Sequence, residues 1–187
     1  VRGVDGDIQI NDAIPFLSGM KLRIGLGGSF VSKFQKDDKP SLILPENVGA
    51  YAGRINLRYG KLAFDAEYAY KINDPSQANL FTYNYGEALF ANLTYTQKGL
   101  GIRLSAKRVD NMDYRSDRGV TGTRLLINYL PAVNRQQTYR LATLYPYATQ
   151  ALGEMGGSTE IYYTFKPKSA LGGEYGTTIM TNFAGVS

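Results

Sequence analysis

Hydrophobic and polar residues alternate with a period of two along most of the chain. Between Lys61 and Ile72, one set comprises Leu62, Phe64, Ala66, Tyr68, Tyr70 and Ile72. The other comprises Lys61, Ala63, Asp65, Glu67, Ala69 and Lys71. A helix would scatter these charges around its circumference, whereas a strand sends the two sets to opposite faces. The same alternation runs over Met20–Phe34, Tyr51–Tyr59, Leu89–Thr96, Ile102–Lys107, Leu125–Tyr129, Tyr139–Tyr145, Glu160–Lys166 and Tyr175–Phe183, and more weakly over Asp7–Asn11. This pattern predicts an all-β chain of about nine or ten antiparallel strands.

The connections alternate in length. Short ones fall around Gly60 and at Gln97–Gly101, Pro131–Gln136 and Pro167–Gly172. Longer polar stretches fall at Gln35–Asn47, Asn73–Gly86, Asp110–Gly122 and Ala148–Ser158. Tight turns at one end and long loops at the other are the rhythm of an up-and-down bacterial barrel. Greek-key crossings in a soluble sandwich break such a rhythm. Several strands run to about 10–12 residues, near the 9–11 that cross a bilayer at a tilt.

Period two does not say which face is inside, because a soluble lipocalin-like barrel also alternates. Three features favour lipid on the apolar face. Charges sit in mid-strand on the polar face. The middle of the apolar face carries essentially none. Tyrosines fall near strand ends, where an interfacial girdle places them. The expected girdle is Tyr51, Tyr59, Tyr95, Tyr129, Tyr139 and Tyr145. The expected lumen-facing residues are Arg23, Arg54, Arg58, Asp65, Glu67, Arg103, Lys107, Arg124, Arg140 and Glu160. Base exceeds acid in that set, so an open lumen would favour anions.

Composition narrows the chemistry. The 187 residues include no Cys and no His. That removes disulfides, Cys/His zinc sites and Ser-His-Asp or Cys-His pairs. No catalytic, metal or cofactor residue is predicted. The net charge of +5 is spread along the chain, so no nucleic-acid partner is expected. Mean hydropathy is −0.27, a mild value that a barrel permits because only alternate residues face lipid. The chain opens at Val1 without an initiator Met and closes at Phe183–Ser187 without a terminal aromatic, from which a mature or partial chain of a longer barrel is expected.

Smaller motifs read as structural. Asp65 and Glu67 share a face as a glycosidase pair might, but nearby Arg and Lys are expected to pair both. Asp5-Gly6-Asp7 with Asn11-Asp12 lacks the spacing of an EF-hand loop and is expected to be a turn. Asp37-Asp38 and Asp110–Asp113 are expected to be solvated loop charges. Gly27-Gly28 lies in a strand and is no phosphate loop. Gly172-Gly173 is expected to open a strand, and Tyr145-Pro146-Tyr147 to anchor a girdle.

The segment Ile127–Gln150, INYLPAVNRQQTYRLATLYPYATQ, followed by GEMG at Gly153–Gly156 and LGGEYGTTI at Leu171–Ile179, resembles an uncharacterised outer-membrane barrel family of the Bacteroidota. The likeness covers about a third of the chain, from Ile127 to Phe183. It implies an exported outer-membrane barrel in contact with lipid and lipopolysaccharide, and it transfers no site. Two functions follow as expectations. One is a non-catalytic accessory or scaffold subunit bound to other outer-membrane proteins or lipoproteins. The other is a porin-like channel for small solutes.

Overall fold

The computed structural model describes residues 1–37, 39, 41–135 and 147–187. Eight strands form one antiparallel sheet in sequence order: β1 (Arg2–Gln9), β2 (Leu22–Phe34), β3 (Asn47–Tyr59), β4 (Leu62–Lys71), β5 (Gly86–Gln97), β6 (Leu100–Asp110), β7 (Gly153–Phe165) and β8 (Thr177–Val186). Every strand pairs with its neighbour in sequence, and among the described residues β1 and β8 are the outermost strands. The up-and-down all-β expectation is met, and the sheet is not closed on itself.

Two expected strands need comment. Leu125–Tyr129 is not a strand; it follows a turn and makes one bridge, Arg115 with Leu126. It belongs instead to a segment that lies across the sheet. The expected strand Tyr139–Tyr145 falls outside the described residues. Three other readings also change. Asp5-Gly6-Asp7 is part of β1, not a turn, and a four-residue helix, α1 (Ile10–Ala13), follows it. The expected loop Ala148–Ser158 ends early, because β7 begins at Gly153. Gly172-Gly173 lies in the turn before β8, with Gly173 at φ +59, and the strand opens at Thr177.

The connections sort by end. Residues 10–21, 60–61, 98–99 and 166–176 join strands at one end. Residues 35–46, 72–85 and 111–152 join them at the other. The two longest connections, 72–85 and 111–152, thus lie at one end, and both two-residue turns at the opposite one.

The pairing register fixes the faces. Leu26, Ile55, Ala66 and Ala91 are successive partners from β2 to β5. They belong to an apolar face whose large side chains, among them Leu26, Tyr51, Leu93, Leu104 and Phe183, stay exposed. Arg2, Glu87, Arg108 and Asp110, the charges on that face, all sit toward the long-loop end. Asn56, Asp65, Asn92 and Ser105 are successive partners on the other, polar face. The buried side chains lie on that polar face and in the segments laid over it: Lys33, Val48, Lys71, Lys107 and Val109 from strands, and Met112, Tyr114 and Val133 from between β6 and β7. The sheet therefore packs through its charged face. A soluble barrel with an apolar interior does the reverse.

Candidate functional site: a charged plug on the polar face

The segment 112–135 crosses the polar face. At one side the Tyr114 hydroxyl donates to the carbonyl oxygens of Val48 (2.8 Å) and Val31 (3.3 Å), on β3 and β2. At the other, the Pro131 carbonyl accepts from Lys107 of β6 (3.0 Å), and Arg135 pairs with Glu160 of β7. Burial pushes the Tyr114 hydroxyl up to about 12.

Three lysines, one on each of β2, β4 and β6, anchor the loops. Lys33 Nζ lies 2.6 Å from Asp74 Oδ2, with both side chains 1% exposed. Arg118 Nε reaches the other oxygen of Asp74 at 3.3 Å. Lys71 donates to the Asp113 carbonyl at 2.5 Å. Gly86 leaves its path clear: a Cβ there would stand 2.9 Å from Lys71 Cε and 2.4 Å from the Asn111 carbonyl. Lys107 pairs with Glu154 and donates to Thr149 Oγ1 at 2.6 Å. Arg115 holds both carboxylate oxygens of Asp113 at 2.7 Å and also caps the carbonyls of Gly122 and Arg124. Single ion pairs at an exposed surface contribute little, but buried pairs of this kind are strongly destabilising to break.

The neighbouring loop is tied in through amides. Asn79 donates to the Asp74 carbonyl and to Asn111 Oδ1, each at 3.1 Å. Asn111, at φ +43, donates in turn to the carbonyls of Asn84 and Tyr85. Burial and a hydrogen bond to Glu154 push Tyr147 up to about 12. Asp37, not buried, accepts from the backbone N–H of Leu44 and Lys39, which hold its carboxyl below the usual range.

Toward the short-turn end the polar face opens. Arg58 bonds Asp65 at 2.7 Å and Arg23 bonds Asp12 at 3.3 Å, with the arginines half exposed. Arg54 bonds Asp5 (2.7 Å) and Asp7 (3.1 Å). Arg103 donates to Asn92 Oδ1.

The predicted polar residues Arg23, Arg54, Arg58, Asp65, Glu67, Arg103, Lys107 and Glu160 share this one face. Arg124 does not; it sits exposed in a turn of the crossing segment. Arg140 is outside the described residues. Asp65 is paired as expected, but Glu67 has no ion pair or hydrogen bond among the described residues. Asp113, expected to be solvated, is buried. Asp38 is outside the described residues. Of the tyrosines, Tyr51, Tyr59 and Tyr95 lie on the apolar face. Tyr129 is in an exposed loop, and Tyr139 and Tyr145 lie outside the described residues. Sequence reasoning missed Asp113, Arg115 and Arg118 of the plug, and its partners Asp74 in the 72–85 connection and Glu154 on β7. It also missed Lys33 and Lys71, whose strand parity marks their face. Among the described residues no cluster of acidic side chains could hold a metal ion.

The chain matches the family of unknown function DUF6029 over residues 1–187 and belongs to that family. No curated protein matches it, and no solved structure does.

Proposed function

We propose that this member of the family forms part of a transmembrane β-barrel of the outer membrane, and that it serves there as a non-catalytic accessory or scaffold subunit of a larger assembly. The observation that carries the reading is the partition of the two faces. The apolar face lies bare, while the charged face is covered by the chain's own plug over its long-loop half. In a bilayer that arrangement puts hydrocarbon against Leu26, Ile55 and Leu93 and keeps most of the strand charges within a lumen.

The apolar face has the dimensions for this. On β3, Tyr51 and Tyr59 stand eight residues apart, about 26 Å along a strand and about 20 Å at a tilt of ~40°. That approaches the apolar band of about 25 Å between aromatic girdles. Tyr95 and Tyr163 extend the band of Tyr59. Tyr70, stacked on Tyr85 at 5.5 Å, extends that of Tyr51. The charges Glu87 and Asp110 are in register with Tyr51 and Tyr70, and Arg108 lies one same-face position inside them.

An open sheet edge is not tolerated in hydrocarbon, because each unpaired backbone group costs several kcal/mol. The outer edges of β1 and β8, unpaired among the described residues, therefore find strands in the membrane. An eight-stranded barrel encloses only room for its own side chains. The 112–135 segment needs more, so the closed barrel has more than eight strands.

The plug favours the scaffold reading over the channel. Lys33, Lys71 and Lys107 hold the crossing segment at the long-loop end, where a porin would be open. The anion preference also weakens, because Asp5 and Asp7 of β1 join the polar face and neutralise Arg54.

Extraction in mild detergent, native sizing and mass identification of co-migrating proteins test this. A stoichiometric complex from the outer-membrane fraction is expected. A lone barrel with steady single-channel conductance would replace the scaffold by a pore.

A further inference from the structure

Between the sheet and the plug lies a cavity of about 260 Å³. Its floor departs from the rest of the polar face. Ala52, Ala69, Ala88 and Val109 are successive register partners across β3 to β6, a row of small apolar side chains at one level of a charged wall. Met112, Tyr114 and Ile127 of the plug roof it. Protein interiors are close-packed, and an engineered apolar cavity of about 150 Å³ suffices to hold benzene. This chamber is larger, and its walls are mostly hydrocarbon.

One carboxylate, that of Glu67, stands at its solvent-exposed edge. Glu67 lines the cavity and makes no ion pair or hydrogen bond among the described residues. Its register partner is Arg54, whose guanidinium is drawn away to Asp5 and Asp7. The cation that also lines the cavity, Lys107, is committed to Glu154. An apolar chamber with an exposed carboxylate at its edge and, among the described lining residues, no cation other than the paired Lys107 selects an apolar body carrying a positive head.

We infer that this chamber binds a small amine with an aromatic or branched aliphatic body, the body against the alanine row and the ammonium at Glu67. The site does not depend on which face of the sheet meets lipid, so it stands or falls separately from the membrane reading.

The test is fluorine NMR of the full chain in detergent micelles, titrated with 4-fluorobenzylamine and, for comparison, 4-fluorobenzyl alcohol and 4-fluorobenzoate. Saturable binding is expected, with the amine favoured over the alcohol by about tenfold, as a charge-assisted bond implies. Glu67→Gln should erase that preference while leaving the alcohol's affinity unchanged. Ala69→Phe should fill the chamber and abolish saturation for both. Ala88→Leu does the same from the next strand, so that one misfolded variant does not decide the matter, and near-ultraviolet circular dichroism reports whether each variant keeps its packing. Binding that never saturates in the wild type would overturn the site, as would saturation that survives in both well-folded filled variants. Equal affinity for amine and alcohol in the wild type would overturn the assigned ligand class.

Discussion

Arg54 reaches β1 only because residue 27 is glycine. Its guanidinium crosses β2 to bond Asp5 at 2.7 Å and Asp7 at 3.1 Å. A Cβ at Gly27 would stand 2.8 Å from Arg54 Nε and 1.9 Å from Asp7 Oδ1. Gly27→Ala is therefore expected to displace the guanidinium and break the bridge that ties three strands together, a modest loss because the carboxylates are exposed. Gly53→Ala, with nothing within 4 Å of the added methyl, is expected to stay within about 0.5 kcal/mol. Urea unfolding followed by tyrosine circular dichroism compares them; equal midpoints would contradict the bridge.

Asp74 is the hub of the plug. Asp74→Asn leaves Lys33 and Arg118 buried without a counter-charge, and a loss of about 3–5 kcal/mol is expected. The double variant Lys33→Met with Asp74→Leu removes most of that imbalance and should recover part of the loss. Thermal unfolding of the three proteins measures it. A double variant no more stable than Asp74→Asn would show that the ion pair is not what holds the loop.

The Tyr114 hydroxyl, pushed up to about 12 by burial, ties the plug to alkaline pH. The folded pKa lies above the unfolded value of about 10. The contribution is thus fully present below about pH 10 and lost as pH rises through about 12. Protease cleavage within 112–135 should rise over that window. Tyr114→Phe should lose about 1 kcal/mol with its bond to Val48 and should show a smaller alkaline rise. An identical pH profile in the two proteins would refute the assignment.

Planar-bilayer recording reads the plug directly. The wild type is expected to conduct rarely. Lys71→Met with Lys107→Met, which frees the segment from β4 and β6, is expected to raise open probability severalfold. A steadily conducting wild type would return the channel reading.

The strands were legible because period two survives along most of the paired residues. Leu62, Phe64 and Ala66 fall opposite Asp65 and Glu67 in the sequence and in the sheet alike. The same rule failed at Leu125–Tyr129. There Ile127 turns to the cavity while Leu125 and Tyr129, of the same parity, are exposed, so the alternation marks no common face. Asp5 and Asp7 were misread because Asp-Gly-Asp has the composition of a turn. What holds them in a strand is Arg54, 47 residues away in the chain. The plug left no sequence signal. Lys33 and Asp74 meet only through folding, and Asp113 looks like any loop carboxylate until Arg115 and burial are seen together.

The orientation of the sheet is tested most directly by lipid quenching. The chain has no Cys, so single cysteines at Ile55 and Leu93 on one face, and at Asn56 and Ser105 on the other, can carry an environment-sensitive fluorophore in liposomes. With brominated lipid, strong quenching is expected at Ile55 and Leu93, and little at Asn56 and Ser105, with water-soluble iodide giving the opposite pattern. Iodide access at Ile55 and Leu93 without lipid quenching would contradict a membrane-facing apolar surface.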